Sequence, residues 1–169
     1  DDEVDEGELL AHAAKYYANI LLLYSPLVQK LLAEVKKLGL AIDMIAPDHG
    51  LIWRGRPGQI VAAYDRWSRQ ETQAKAVVVY DTMWQSTEKM AKIMAEFFMC
   101  KGIEVKLMKL REWHRSDVMA EILDSKAVCV GSPTLHRTLF PTVADLLCYM
   151  KGLKPQKKSA AAFGSYGWS

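Results

Sequence analysis

The chain has 169 residues, 22 of them Lys or Arg and 20 Asp or Glu, and 50% of its residues are hydrophobic, a composition typical of a globular protein. The basic residues are scattered, which argues against a polybasic segment that binds nucleic acid or a membrane surface. The longest nearly uncharged stretch, 16–28, is interrupted by Pro26 and is too short to cross a bilayer. We therefore expect neither a nucleic-acid partner nor a membrane span.

Two further features of the composition predict a cytoplasmic protein. The first eight residues include six acids, unlike the basic start of a secretory signal. The three cysteines are odd in number, widely spaced and set in apolar surroundings, which indicates buried thiols in a reducing compartment rather than a disulfide framework or a zinc site. They are Cys100, Cys129 and Cys148.

The first seventy residues predict three helices and one short strand. Apolar residues at helical spacing indicate a first helix over 9–21, and the dipeptide 25–26 supplies a serine N-cap and a first-turn proline for a second. That helix is expected to stop at Gly39. A short strand, 41–46, comes next, and an amphipathic helix begins at Pro57. Three helices and one strand are too few to bury this many apolar residues in a domain of their own. We therefore expect this segment to pack against another surface.

A single histidine follows the predicted strand. His49 lies in a turn whose glycine lets the backbone bend sharply, and an imidazole nitrogen there suits iron or zinc. No second histidine stands at HxH or HxxxH spacing, however. From the residues alone, a loop histidine hydrogen-bonded to nearby backbone is the favoured interpretation, and a metal ligand is the alternative.

From residue 76 onward, predicted strands and helices alternate. Three of the four strands are nearly continuous apolar runs, as expected when helices cover both faces of a parallel sheet, so the fold class is α/β. Ligands of such sheets bind outside the carboxyl ends of the strands. The predicted strands are 76–80, 103–110, 127–131 and 159–163, and the predicted helices are 87–100, 117–124 and 141–150.

The loop after the first of these strands has the chemistry of a phosphate site. Thr82, Ser86 and Thr87 offer hydroxyl groups at the start of a helix, whose free N–H groups favour an anion. An N-cap role for Ser86 or Thr87 accounts for only one hydroxyl. Neither GKS/GKT nor GxGxxG is present, which leaves the phosphate of a mononucleotide as the best interpretation.

Two further loops leave the carboxyl ends of later strands. The second, 131–141, is long and rich in polar hydrogen-bonding groups. The third, 164–169, places backbone donors beside Tyr166 and Trp168, whose rings could stack on a flat heterocycle. Taken singly, an aromatic residue in a loop is more often packed against its own domain, but three such loops at one sheet edge predict a common site.

Several motifs resemble a known family. VVVYDTMWQSTEKMA (77–91), VGSPTLHRTLFP (130–141) and AFGSYGWS (162–169) resemble the FMN-binding flavodoxin-like domain of the flavodiiron proteins. KYYANILLLYSPLVQKLL (15–32) and MIAPDHGLIWR (44–54) resemble the end of that family's metallo-β-lactamase-like domain. The resemblance therefore covers essentially the whole chain.

The resemblance implies a division into domains. Residues 1–70 would be the C-terminal part of a metallo-β-lactamase-like αββα domain, 71–75 a linker, and 76–169 a flavodoxin-like doubly wound parallel sheet that lacks its last strand and helix. It also implies FMN as cofactor. The matching positions imply FMN contacts by Thr82, Met83, Trp84, Gln85, Ser86, Thr87, Ser132, Pro133, Thr134, Leu135, His136, Ser165, Tyr166, Gly167 and Trp168.

The resemblance also implies an activity. Family members reduce dioxygen to water, nitric oxide to nitrous oxide, or both, at a non-haem diiron site that receives electrons from FMN. His49 matches the last histidine ligand of that site, which reverses the interpretation from the residues alone. The family's HxExDH motif, its next histidine and its bridging aspartate do not occur in this sequence. The implied partners are an electron donor such as rubredoxin or another reduced carrier, and a second copy in a head-to-tail dimer.

One departure from the family pattern concerns the second loop. Where the family often has asparagine and glycine, this chain has His136, Arg137 and Thr138. A cation such as Arg137 near the flavin ring would favour the reduced, anionic flavin.

Three other functions remain open. The chain could be a flavodoxin-like electron-transfer module without iron, or an interaction fragment that binds no flavin. A phosphate-ester or nucleotide hydrolase is poorly supported, because the motifs contain no paired carboxylates and no nucleophile with a base.

Overall fold

The computed structural model describes residues 1–167. The first part of the chain is helical, and its first two helices are joined by a π-helical segment followed by a 3-10 turn. Its elements are α1 (Glu6–Tyr16), a π-helical segment (Tyr17–Leu21), a 3-10 turn (Leu22–Tyr24), α2 (Ser25–Leu38) and α3 (Pro57–Ser68).

The second part alternates strands and helices as predicted. Its elements are β1 (Gln73–Tyr80), α4 (Ser86–Cys100), β2 (Glu104–Lys109), α5 (Arg115–Leu123), β3 (Ser125–Leu135), β4 (Thr138–Leu139), α6 (Pro141–Leu153) and β5 (Ser159–Ser165).

The sheet has the predicted flavodoxin-like arrangement. β1 lies between β2 and β3, and β5 pairs with the other side of β3, all in parallel, while β4 makes a short antiparallel hairpin with the end of β3. Val77 and Val79 of β1 are buried in a core with α5, and Val78 is buried in a second core with α4. Helices therefore cover both faces of the sheet, which confirms the predicted α/β fold.

The N-terminal helices share one of these cores. Tyr17, Ala18 and Leu22 are buried in the same apolar cluster as Val77 of β1 and Met119 of α5. The first seventy residues thus use the flavodoxin-like domain as a packing surface, in line with the expectation that they do not close on their own. Burial of apolar side chains from both segments in one cluster makes the stability of each depend on the other.

The irregular segment 41–46 differs from the strand predicted there. It contains only an isolated bridge, in which Ile45 and Trp53 exchange two backbone hydrogen bonds of 2.9 Å. A strand is held by a ladder of such bonds with a neighbour. The apolar pattern of 41–46 has no such ladder in the described part of the chain, so it does not make a strand here.

The start of α2 also differs in detail from the prediction. Ser25 is the first helical residue rather than the N-cap, and its hydroxyl donates to the Leu22 carbonyl at 2.7 Å and lies 3.1 Å from the Tyr17 hydroxyl. Tyr24 is the capping position, without a side-chain cap. The predicted roles of Pro26 in the first turn and of Gly39, with φ 63°, at the C-terminus are confirmed.

Three strands are longer than predicted, and one of them, β5, ends at Ser165 rather than at 163. β1 begins at Gln73 and β3 continues to Leu135, because its pairing with β5 and with β4 extends the ladder into the predicted loop 131–141.

The cysteines differ in part from the prediction. Cys129 is buried in the sheet, whereas Cys100 and Cys148 are exposed on helices, so the expectation of three buried thiols was wrong for two. Within residues 1–167, none of the helices has the length and apolarity that would cross a membrane.

Candidate functional site

The three predicted loops meet at one edge of the sheet. Parallel pairing places Tyr80 beside Gly131 and Pro133 beside Ser165, so the carboxyl ends of β1, β3 and β5 lie side by side. The loops are also in direct contact, since the hydroxyl oxygens of Thr87 and Ser165 are 3.4 Å apart. Residues separated by nearly eighty positions thus contribute to a single site.

The first loop ends at the N-cap of α4, and this position is not occupied by Ser86 or Thr87. Gln85 occupies the N-cap position with φ 67° and makes no side-chain cap, so the predicted capping role of Ser86 or Thr87 was wrong. Thr87 is fully buried and directs its hydroxyl toward Ser165, while Ser86 is exposed at the first position of the helix. The unpaired N–H groups of this first turn favour an anion.

A buried hydroxyl in this loop has no hydrogen-bond partner in the part of the chain that the structure describes. Thr82 is only 6% exposed, and its Oγ1 makes no hydrogen bond within the described residues. An unsatisfied buried polar atom costs roughly 1–3 kcal/mol, so it calls for a ligand that supplies the missing bond. A phosphate oxygen at the start of α4 would meet this need, so the residues present fit the phosphate of a mononucleotide.

Two glycines allow β3 and β5 to pack closely at the carboxyl edge of the sheet. A Cβ atom on Gly164 would overlap the carbonyl oxygen of Ser132, and one on Gly131 would overlap the Phe163 ring and lie 2.9 Å from the Tyr80 Cβ. Only glycine therefore allows β5 and β3 to approach this closely at the carboxyl edge. The sequence contains both glycines but carries no signal of this contact, which depends on strand pairing.

Two aromatic rings stand unpacked at the mouth of the site. The Trp84 and Tyr166 residues are 81% and 78% exposed, respectively. Flat rings that do not pack against their own domain are suited to stack on a planar heterocycle. Met83, between Thr82 and Trp84, is half-buried. Gly167 ends the described chain, and Trp168 lies outside the described residues.

The second loop is a tight hairpin. Thr134 pairs with Leu139 and Leu135 with Thr138, and the two residues at the tip, His136 and Arg137, both have positive φ, 50° and 62°. This geometry is that of a type I′ turn, which strongly favours Asn-Gly, and it explains why asparagine and glycine suit this loop.

The base of the hairpin is held by a serine. The Ser132 hydroxyl accepts a 3.0 Å hydrogen bond from the Phe140 N–H and donates to the Pro133 carbonyl at 2.9 Å. Ser132 therefore links the two ends of the hairpin, at Pro133 and Phe140.

His49 lies in a different part of the molecule from the three loops. It is exposed, and its ring lies against the Tyr16 ring, with centroids 5.8 Å apart. Both residues line an apolar cavity of about 430 Å³ between α1, α2, α3 and the segment 42–53. Among the described residues, no group of three or more His, Cys, Asp and Glu side chains could hold a metal ion.

One residue of the first loop was not singled out from the sequence. Asp81 follows the apolar strand β1 directly and is completely buried. The signal was present, because a carboxylate placed at the end of a buried strand needs a partner. That partner, Arg111, is thirty positions away, and the sequence alone does not pair them.

A doubly wound sheet with a free helix start and unpacked rings at its carboxyl edge defines the class of flavodoxin-like, mononucleotide-binding domains. The family model described as flavodoxin matches residues 78–169. The chain belongs to the flavodoxin family and is related, over its whole length, to the flavodiiron proteins. FMN is the cofactor of this family, so the predicted cofactor is confirmed at family level.

Relatives and solved structures match the whole chain. A protein named nitric oxide reductase from Moorella thermoacetica is 52% identical over 168 residues, which are 99% of this chain and 42% of the relative. Rubredoxin oxygen:oxidoreductase from Desulfovibrio gigas has a TM-score of 0.97 at 43% identity, covering 100% of this chain and 43% of that one. The flavodiiron protein from Giardia intestinalis has a TM-score of 0.94 at 37% identity, covering 99% and 41%. The chain thus spans less than half the length of these proteins.

Proposed function

We propose that the edge formed by β1, β3 and β5 binds FMN. Thr82, Ser86 and Thr87 and the first N–H groups of α4 hold the phosphate, and Trp84 and Tyr166 flank the isoalloxazine ring. The observation that carries this proposal is the buried hydroxyl of Thr82, which has no hydrogen-bond partner within residues 1–167 and lies in the loop that leads into α4. The remaining contacts come from Met83 and Gln85, from the hairpin residues 132–136, and from Gly167, Ser165 and Trp168.

The residues of the site divide the work of binding between the two ends of the cofactor. Hydroxyl and N–H donors hold a doubly charged phosphate without a lysine or arginine in the first loop, as helix starts commonly do. The exposed rings of Trp84 and Tyr166 exclude water from the faces of the flavin and leave its edge accessible to a redox partner. When bound, FMN supplies one-electron and two-electron transfer.

We extend the proposal to the complete protein as an FMN- and diiron-dependent reductase of dioxygen to water, of nitric oxide to nitrous oxide, or of both. The names of the relatives from M. thermoacetica and D. gigas support this activity. His49 would be one iron ligand, and the other ligands would come from residues outside this sequence.

The partners follow from the same proposal. We expect rubredoxin or another reduced carrier as electron donor, in line with the name of the D. gigas protein. A head-to-tail homodimer would bring the flavin of one subunit near the diiron site of the other, since His49 and the three loops lie apart within one chain. Three free cysteines fit a cytoplasmic location.

The flavin site is tested by binding. The chain is incubated with FMN, excess cofactor is removed, and the visible absorption spectrum is recorded. We expect a protein-bound flavin spectrum, and Thr82→Val should weaken FMN binding about tenfold or more, because a hydrogen bond to a charged group is lost. Thr72→Val, in the segment before β1, is the matched control. Failure of the native chain to retain FMN would contradict the proposal.

The iron-ligand role of His49 is tested in the complete protein. His49→Asn should abolish reduction of dioxygen and nitric oxide while the flavin stays bound. His12→Asn is the matched control, since His12 lines the same cavity and is exposed. Unchanged turnover of the His49 variant would remove it from the ligand set.

A flavodoxin-like electron-transfer module without its own gas-reducing site is the second candidate. The match of the flavodoxin family model to residues 78–169 favours it. Iron analysis of the complete, purified protein separates the two functions, because a carrier needs FMN but no iron.

A further inference from the structure

The carboxylate of Asp81 joins three segments of the chain at the carboxyl edge of the sheet. It is completely buried at the beginning of the first loop. Its Oδ1 accepts the N–H of Thr82 at 2.7 Å, and its Oδ2 accepts the Thr142 hydroxyl at 2.6 Å and the Nε–H of Arg111 at 3.3 Å. The Arg111 Nε also lies 3.0 Å from Oδ1, which completes an ion pair. One side chain thus connects the end of β1, the segment after β2 and the first turn of α6.

Arg111 extends these connections to the second loop. Its guanidinium carbon lies 5.2 Å from the centroid of the Phe140 ring, which is a cation–π contact. The N–H of Phe140 donates to the Ser132 hydroxyl at 3.0 Å. Arg111 is half-exposed, so its cation remains hydrated on one side while it faces the buried Asp81 on the other.

The position of Asp81 raises an electrostatic difficulty. The residue next to it, Thr82, carries the hydroxyl that lacks a partner within residues 1–167 and is proposed to meet the phosphate. A carboxylate and a phosphate this close repel each other, and burial strengthens the repulsion because the local dielectric is low. The loop therefore needs a cation that neutralises Asp81, and Arg111, which reaches Asp81 from the segment after β2, supplies one.

We propose that Asp81 and Arg111 form a positioning pair for the FMN phosphate. Asp81 fixes the backbone of Thr82, which aims the free hydroxyl into the site, and Arg111 neutralises Asp81 so that the phosphate is accepted beside it. Arg111 acts through Asp81 and does not touch the cofactor. This inference rests on the proposed FMN site and assigns roles to two residues behind it.

The test compares FMN with riboflavin, which has the same ring but no phosphate. Dissociation constants are measured by flavin fluorescence for the native chain, Arg111→Met, Arg111→Lys and the double variant Asp81→Asn/Arg111→Met. Arg111→Met keeps an apolar stem over Phe140 but leaves the buried carboxylate uncompensated, so FMN affinity should fall about tenfold or more. Riboflavin affinity should stay within about threefold of native.

The other two variants distinguish compensation from direct contact. Arg111→Lys keeps the cation and should retain most of the FMN affinity. The double variant removes both charges, and its amide oxygen still accepts the Thr82 N–H, so FMN affinity should recover to within about threefold of native. Arg69→Met, which breaks an exposed ion pair with Asp65 on α3, is the matched control and should change neither affinity.

Three results would overturn the inference. If the double variant binds FMN as weakly as Arg111→Met, Arg111 contacts the phosphate itself. If Arg111→Met loses riboflavin and FMN equally, or fails to fold, while Arg111→Lys behaves the same way, the pair has only a structural role. If all variants bind FMN like the native chain, the pair does not act on the phosphate. Failure of the native chain to bind FMN would instead refute the proposed site.

Discussion

The side-chain carbonyl of Asn19 accepts a 2.9 Å hydrogen bond from the hydroxyl of Tyr149, a residue 130 positions further along the chain. The amide group of Asn19 donates to the carbonyls of Lys15, at 2.7 Å, and Ser116, at 3.0 Å. Asn19 lies in the π-helical segment between α1 and α2, where a widened turn is often a sign of function. Here it turns an amide toward α5 and α6 and ties the N-terminal helices to the flavodoxin-like domain.

Replacing Asn19 with leucine is expected to lower the free energy of unfolding by about 1–3 kcal/mol, because it leaves the Tyr149 hydroxyl and the Ser116 carbonyl without their partner. Tyr149→Phe removes one of these bonds and should cost about 1 kcal/mol. Urea denaturation followed by circular dichroism measures both. Tyr24→Phe, which changes an exposed ring, is the control. Equal midpoints for native protein and Asn19→Leu would contradict the proposed role of this residue.

Gly164→Ala is expected to destabilise the protein by more than about 2 kcal/mol and to weaken FMN binding, since the added Cβ overlaps the Ser132 carbonyl and forces β3 and β5 apart. Gly152→Ala in α6 is the matched control, because nothing lies within 4 Å of its Cβ position. That change should raise stability by about 0.5–1 kcal/mol through helix propensity. A Gly164→Ala variant as stable as the native chain would show that the strands do not approach as closely as described.

The double substitution His136→Asn and Arg137→Gly is expected to stabilise the hairpin. Both residues hold positive φ, and asparagine and glycine adopt that conformation with less strain. The gain should be about 1–2 kcal/mol in thermal or urea unfolding. A matched change at Thr134→Ala, in the strand rather than the turn, should give no such gain. A loss of stability in the double variant would mean that the side chains of His136 and Arg137 stabilise the folded chain by more than their backbone strain destabilises it.

The pKa of the Lys158 ammonium is lowered to about 8, chiefly by burial and also by the neighbouring cations of Lys126 and Lys75, against the opposing effect of Asp124. The ammonium donates to the Leu123 carbonyl at 2.9 Å. Because the folded chain loses this proton more readily than the unfolded chain, where the pKa is near 10.5, stability gains from this residue as the pH rises from about 8 to 10.5.

Lys158→Met should remove that pH dependence. The stability of the native chain relative to the variant is expected to rise by about 1–2 kcal/mol between pH 7.5 and 9.5, after allowance for the partial exposure of the side chain. Using the difference cancels the titration of tyrosines and thiols common to both proteins. Lys151→Met, on the exposed surface of α6, is the control. A difference that stays constant with pH would contradict the burial effect.

Local patterns predicted most of the fold. The apolar runs of β1 and β3 and the helical spacing in α4 and α6 identified those elements within a few residues, because period and capping are encoded within one turn or one strand. The predictions were wrong where contacts with residues distant in the sequence, rather than local preference, decide the secondary structure. Segment 41–46 has a strand pattern but only one bridging residue, and β3 runs past Gly131 because β4 and β5 continue its ladder.

The candidate site follows the same division. Thr82, Ser86 and Thr87 could be identified from the sequence because hydroxyl residues before an apolar helix carry their chemistry locally. Asp81 with Arg111, and Gly164 with Ser132, could not, because each pair is brought together by strand order and register.

The sequence by itself determined the alternation of strands and helices, the chemistry of the three loops and the relation to the flavodiiron proteins, because each is written in contiguous residues. Only the tertiary structure decided which loops touch, how Asn19 fastens the first helices to α5 and α6, and that His49 lies away from the edge formed by β1, β3 and β5. Those features depend on the register of a parallel sheet and on packing between residues far apart in the chain, which no single segment specifies.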